Sequence, residues 1–142
     1  IILAPTLIHY ELKKHNVVYN YQDELIERLL KKYKVVFRPH PQDRHPLIQK
    51  IVKKFKKYKN FIYDSEPNDY LYYYANSKMM ISDISGTAYT YTFLTKKPVL
   101  FISVNEHTIK KDLGNLEYFK YRSYIRKVDT NIDNLEESIE YL

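Results

Sequence analysis

Short apolar runs alternate along this chain with stretches whose apolar residues recur every three or four positions. Residues 1–4 (Ile-Ile-Leu-Ala) read as a strand closed by Pro5 and Thr6. Val35-Val36-Phe37, Phe61-Ile62-Tyr63, residues 79–82 and residues 99–102 read as four further strands, and a last short one is expected over 125–128. Between them, Leu25, Ile26, Leu29, Leu30 and Tyr33 form a one-sided helical stripe that starts near Gln22 or Asp23. Ile48, Ile51, Val52 and Phe55 form a second stripe, with lysines on the opposite face. Pro67 and Asn68 start a third helix carrying Leu71, Tyr74 and Ala75, and residues 87–95 a fourth. Asp133, with Glu136 three positions on, resembles a capping box that opens a C-terminal helix. Residues 7–21 and the stretch after residue 102 read as polar connections.

Strands apolar on both faces, each followed by an amphipathic helix, indicate a parallel sheet covered on both sides. Right-handed crossovers then favour a doubly wound, Rossmann-like α/β fold. No internal repeat or linker divides the 142 residues, so one domain over 1–142 is expected. In such sheets ligands sit outside the carboxyl ends of the strands. The polar residues collect there: Thr6 after the first strand, Arg38 and His40 after the second, Asp64 and Ser65 after the third, residues 82–87 after the fourth.

The turn Ser82-Asp83-Ile84-Ser85-Gly86-Thr87 opens the fourth helix. Backbone N–H groups at a helix start lack intrahelical partners and lie at the positive end of its dipole. With the hydroxyls of Ser85 and Thr87 and a glycine that lets backbone approach a ligand, this is a seat for phosphate. Arg38 can pair with two phosphate oxygens at once, and His40 can pass a proton near neutral pH. Arg38 is as readily drawn pointing to solvent, and Asp83 as a turn-former accepting the amides of Ser85 or Gly86. His40, Asp43 and His45 make a poor metal trio, because prolines intervene and only one carboxylate is present. No metal or cofactor is expected. His9, His15 and His107 are expected to be solvent-exposed.

Composition narrows the partners. The net charge of +6 gathers in lysines at 31–34 and 50–59, but RNA-binding aromatic and glycine signatures are missing, so no nucleic-acid partner is expected. Without cysteine, thiol chemistry is excluded and a cytoplasmic setting is expected. No apolar run approaches the length of a membrane span. The chain does not begin with methionine and is expected to be a piece of a longer protein. Glycine-rich dinucleotide and P-loop motifs are absent from the sequence.

Three motifs in order, Ala4-Pro5-Thr6, Arg38-Pro39-His40-Pro41 and Ser82-Asp83-Ile84-Ser85-Gly86-Thr87, followed by Lys97-Pro98-Val99 entering the fifth strand, carry a resemblance. The chain resembles the C-terminal half of the CDP-glycerol glycerophosphotransferases, within the wider GT-B transferases. The resemblance implies a nucleotide-diphosphate donor as substrate, with His40 as the residue required for transfer. It implies donor-phosphate contacts at Asp83 and Ser85; the polar residues at the strand ends add Arg38, Ser82, Gly86 and Thr87 as expected donor-phosphate contacts, and Thr6 and Asp64 as expected cleft positions. It further implies an envelope polymer or lipid-linked acceptor, a separate N-terminal domain, and work at the inner membrane face, where the lysine helix could help. Two positions depart from the family pattern: Gly86 stands where a second serine is usual, and Thr90 where an acidic residue is frequent. The transferred group, whether glycerol phosphate, ribitol phosphate or a sugar, therefore stays open. A non-catalytic flavodoxin-like phospho-ligand module and a nucleotide-sugar epimerase are the alternatives.

Overall fold

The computed structural model describes residues 1–66 and 68–142, and their side chains except those of Tyr118, Ser123 and Arg126. Six strands form one all-parallel sheet: β1 (Ile2–Ala4), β2 (Val35–Phe37), β3 (Phe61–Tyr63), β4 (Met80–Ser82), β5 (Val99–Ile102) and β6 (Arg126–Asp129). Their order is β3-β2-β1-β4-β5-β6, the doubly wound arrangement expected from the alternating pattern. Ile2 pairs with Val36 on one side and Met80 on the other, so β1 lies at the centre.

Alternation along each strand sorts the core into two layers. Leu3, Val35, Phe37, Ile81 and Leu100 face α1 (Val17–Leu30), α2 (Pro46–Phe55) and α8 (Leu135–Tyr141). Ile2, Ala4, Val36, Met80 and Phe101 face α3 (Tyr70–Asn76), α4 (Thr87–Thr95) and α7 (Arg122–Ile125). Both faces of every central strand are buried, which is why they read as unbroken apolar runs.

Several local expectations are corrected. Residues 7–21 are not all connection: α1 begins at Val17, where the Asn16 side chain accepts the Tyr19 amide at 2.7 Å. The helix is kinked at Gln22 (φ 45°, ψ −122°), so the stripe beginning at Asp23 is only its second half. The stretch after β5 holds α5 (Glu106–Leu113) and α6 (Glu117–Lys120) as well as α7. The capping box at Asp133 does not form. Asn134 is the N-cap, without a side-chain bond, and Glu136 pairs with Arg28 instead of reaching back to the cap. His15 is buried, not exposed; burial lowers its pKa, and its Nε2 lies 3.6 Å from Asp112. Asn68 precedes α3, which starts at Tyr70; Pro67, named with it as a helix start, lies outside the described residues.

Candidate functional site

Parallel strands leave all their carboxyl ends on one edge of the sheet. From β1 the chain steps outward to β2 and β3, then crosses back to β4 and proceeds outward the other way to β5 and β6. The reversal opens a crevice between the ends of β1 and β4, where ligands bind in this architecture. A cleft of about 320 Å³ lies there. Pro5 borders it after β1, and Arg38 and His40 after β2. Tyr70 and Tyr74 of α3 form another wall, and Ser85, Thr87 and Thr90 close it from the start of α4. Residues 45 positions apart in sequence, His40 and Ser85, therefore face one space.

The turn before α4 is organised from inside by Asp83. Its fully buried carboxylate accepts the amides of Thr6 (2.9 Å), Val17 (3.0 Å) and Ile84 (2.7 Å). One side chain thus ties the loop after β1, the start of α1 and the turn before α4 together. Burial pushes its pKa up to about 6 against the lowering effect of those amides. Ser82 is also fully buried and donates its hydroxyl to the Ala4 carbonyl at 2.6 Å. Thr6 gives its amide to Asp83, and its carbonyl accepts from Asn16. None of these three borders the cleft, so the direct ligand contacts expected of Ser82 and Asp83 are not what this packing offers. They hold the frame.

Ser85, Gly86 and Thr87 form the surface that remains. The Ser85 hydroxyl accepts the Thr87 amide at 3.4 Å, and the Thr87 hydroxyl lies 3.2 Å from that of Tyr74. Among the described residues no acceptor takes the Gly86 amide, which precedes the first turn of α4. Gly86 has helical dihedrals (φ −62°, ψ −20°), and a Cβ there would meet no heavy atom within 4 Å. A serine at this position, usual in the resemblance described above, would fit without strain.

Opposite stand Arg38 and His40. Arg38 is largely buried, forms a close ion pair with buried Asp64, donates to the Glu66 carbonyl at 3.0 Å and lies over the Tyr70 ring. Asp64 does not border the cleft; it aims the guanidinium and offsets part of its charge. His40 is exposed, and its Nδ1 accepts the Gln42 amide at 3.2 Å. That bond assigns the proton of the neutral ring to Nε2. The His40 loop is braced by buried Asp43, which accepts the amides of Ile8 and His45, both at 2.9 Å. His45 Nδ1 caps α2 through the Leu47 amide. The Nδ1 atoms and the carboxylate of the discounted metal trio thus take part in loop hydrogen bonds.

Asn16 and Asp43 were not singled out as site-builders from sequence. Each carried a signal: asparagine before a helical run, and an Asp-x-His-Pro step that closes an Asx turn ahead of α2.

Fold and cleft together define a Rossmann-like domain with a polar crevice at its topological switch point. The sequence matches the family described as CDP-Glycerol:Poly(glycerophosphate) glycerophosphotransferase over residues 1–137, and the chain belongs to that family. Among solved structures it is similar to a histidine-to-asparagine variant of the wall teichoic acid polymerase TagF, with a TM-score of 0.62 and 22% identity. The match covers 98% of this chain and 34% of the polymerase, so this chain spans about a third of that protein's length. The search of curated proteins found no match.

Proposed function

We propose that this domain binds the nucleotide-diphosphate donor of a glycerophosphotransferase, and that the donor's pyrophosphate lies in the cleft between His40 and the Ser85–Thr87 turn. One observation carries the proposal: the cleft joins an imidazole, a guanidinium and the start of α4 at the switch point of the sheet. Unpartnered N–H groups and the helix dipole suit the phosphate charge.

In the reaction implied by the family, an acceptor hydroxyl attacks the phosphorus that bears glycerol. The bond from that phosphorus to the bridging oxygen breaks, and CMP leaves with the bonding electron pair. The Gly86 amide and the Ser85 hydroxyl stabilise charge building on the leaving phosphate, and His40 can donate its Nε2 proton to it. Arg38, already paired with Asp64, acts as an oriented hydrogen-bond donor more than as a free charge. The acceptor is read as an envelope polymer of the teichoic-acid type, and its proton must go to a base that this cleft does not supply. Among the described residues no helix is long and apolar enough to cross a membrane.

Calorimetric titration of the chain with CDP, UDP, GDP and ADP tests this. CDP is expected to bind best, and Ser85→Ala combined with Gly86→Pro, which removes the free amide, to weaken it about tenfold or more. Equal affinity for all four nucleotides, or no effect of the double substitution, would overturn the proposal. A flavodoxin-like binding module would bind nucleotide but leave the complete protein without turnover.

A further inference from the structure

Opposite the cleft the sheet has a second edge, at the amino ends of its strands, where the charge has one sign. Lys31, Lys32 and Lys34 stand in the loop that enters β2, and Lys56, Lys57 and Lys59 in the loop that enters β3. Lys78 precedes β4, and Lys96 and Lys97 precede β5. These four loops contain nine lysines and no aspartate or glutamate. The loops that leave β2, β3 and β4 at the cleft edge are mixed, with Asp43, Asp64, Glu66, Asp69 and Asp83 beside Arg38 and Arg44.

The fold gathers these lysines. Asn60 clasps the first two loops together, its side chain donating to the carbonyls of Leu30 (2.8 Å) and Tyr33 (2.9 Å). Neighbouring strands lie about 4.8 Å apart, so from β3 to β5 the lysine loops follow one another over about 19 Å. Two of the nine are engaged: Lys32 pairs with Glu140 at 3.1 Å, and Lys97 donates to the carbonyls of Tyr74 and Ala75. The other seven are exposed, and among the described residues none of them has an ion-pair partner. A helix dipole draws cations to its C-terminus, which accounts for Lys31, Lys56 and Lys96 at the C-caps of α1, α2 and α4. It does not account for Lys34, Lys57, Lys59 and Lys78, which lie beyond the helix ends.

We infer that this edge is an exosite for the acceptor polymer, a flexible polyanion with a phosphodiester in each repeat. The inference rests on the glycerophosphotransferase reading above, which gives the acceptor its chemistry. All nine cations are lysines and none is arginine. A phosphodiester in a flexible chain carries one charge and turns freely, which suits mobile ammonium point charges better than the fixed fork of a guanidinium. A nucleic acid would also bring bases to stack. Of the two tyrosines in these loops, Tyr33 packs against the core, and Tyr58 lies against Phe55 with Lys57 over its ring. A polymer held at this edge gains affinity as it lengthens, because each added repeat brings another phosphate to the same row of lysines.

The test is fluorescence anisotropy of the chain with labelled poly(glycerophosphate), in a short and a long form, at low and at physiological salt. The long form is expected to bind more tightly, and salt to weaken it more. Lys34→Glu with Lys57→Glu and Lys59→Glu is expected to weaken the long form about tenfold or more. Lys13→Glu with Lys110→Glu and Lys111→Glu makes the same change of net charge away from this edge and is expected to weaken it less. Circular dichroism confirms that both triple variants fold, and CDP titration reports on the cleft separately. Polymer bound by a chain that does not bind CDP would support the exosite and sink the donor reading. CDP bound by a chain that does not bind polymer would overturn the exosite alone. Equal affinity for the two lengths, or equal losses in the two triple variants, would also overturn it. So would tighter binding of oligouridylate or of phosphatidylglycerol vesicles, which would assign the edge to nucleic acid or to lipid.

Discussion

A carboxylate removed from water costs several kcal/mol unless hydrogen bonds replace the solvent, and Asp83 shows the compromise. Three amides from three separate segments converge on it, yet burial still holds its pKa at about 6, above the ordinary 3.8. The sign of the pH dependence follows. The folded chain holds this proton more tightly than the unfolded chain, so the contribution of Asp83 is full below pH 3.8 and is lost as pH rises through about 6. A shift of this size corresponds to about 3 kcal/mol. Asp83→Asn removes the titration and sets an NH2 group against one of the amide donors. Thermal melts from pH 4 to pH 7 are expected to show the variant less stable throughout, with the gap from wild type narrowing as pH rises. A gap that widens would contradict the assignment. The sequence marked Asp83 correctly as a member of this turn, and His40 as its neighbour in space. It could not tell a carboxylate that faces the ligand from one that faces the frame, because that depends on which amides arrive from residues 6 and 17. Arg38 was ambiguous for the same reason: the residue that turns it inward, Asp64, sits 26 positions later.

At the scale of elements, what could be read from pattern is what buries apolar surface. Every strand was found within a residue of its limits; for the four inner strands this is because a strand covered on both faces has no polar position to confuse the pattern. Helices α5 and α6 were missed for the converse reason: Ile109 and Phe119 are their only residues in the buried apolar core among the described side chains. The first turn of α1 was hidden by the break at Gln22. That break is itself testable. Gln22 is exposed and holds φ 45°, a conformation that L side chains adopt at a cost and glycine freely. Gln22→Gly is therefore expected to stabilise the chain by about 1 kcal/mol, offset in part by the flexibility glycine adds to the unfolded state. In differential scanning calorimetry this amounts to a rise of about 3 °C. A fall in melting temperature would mean that the kink is not held as described. Gly86→Ala is the complementary case, since its helical dihedrals and open surroundings make no use of glycine. A gain of about 0.5 kcal/mol is expected in the same experiment.

Taken as a whole molecule, the domain carries its chemistry on one edge and leaves that edge open. The polar groups that border the cleft, Arg38, His40, Ser85 and Thr87 among them, come from the carboxyl ends of a single sheet, so a phosphate placed there as proposed would be surrounded from one side only. Transfer needs more than this. The acceptor hydroxyl has to approach in line with the bond that breaks and must lose its proton to a base placed opposite the leaving group. The described residues that line the cleft offer one imidazole, and in the proposed reaction it serves the leaving phosphate. The polymerase that this chain resembles is about three times its length, which leaves room for the opposing wall. The chain by itself is accordingly expected to bind CDP-glycerol without consuming it. Incubation with CDP-glycerol and a glycerophosphate oligomer, followed by chromatography for CMP, should show no release above the rate without protein. Calorimetry on the same preparation should still report binding that weakens only a few-fold in His40→Ala, since one neutral hydrogen bond contributes about 1 kcal/mol. CMP formed at a rate that His40→Ala abolishes would show instead that one sheet edge suffices for the whole reaction, and the base would then have to be sought among Tyr70, Tyr74 and the loop at 39–41.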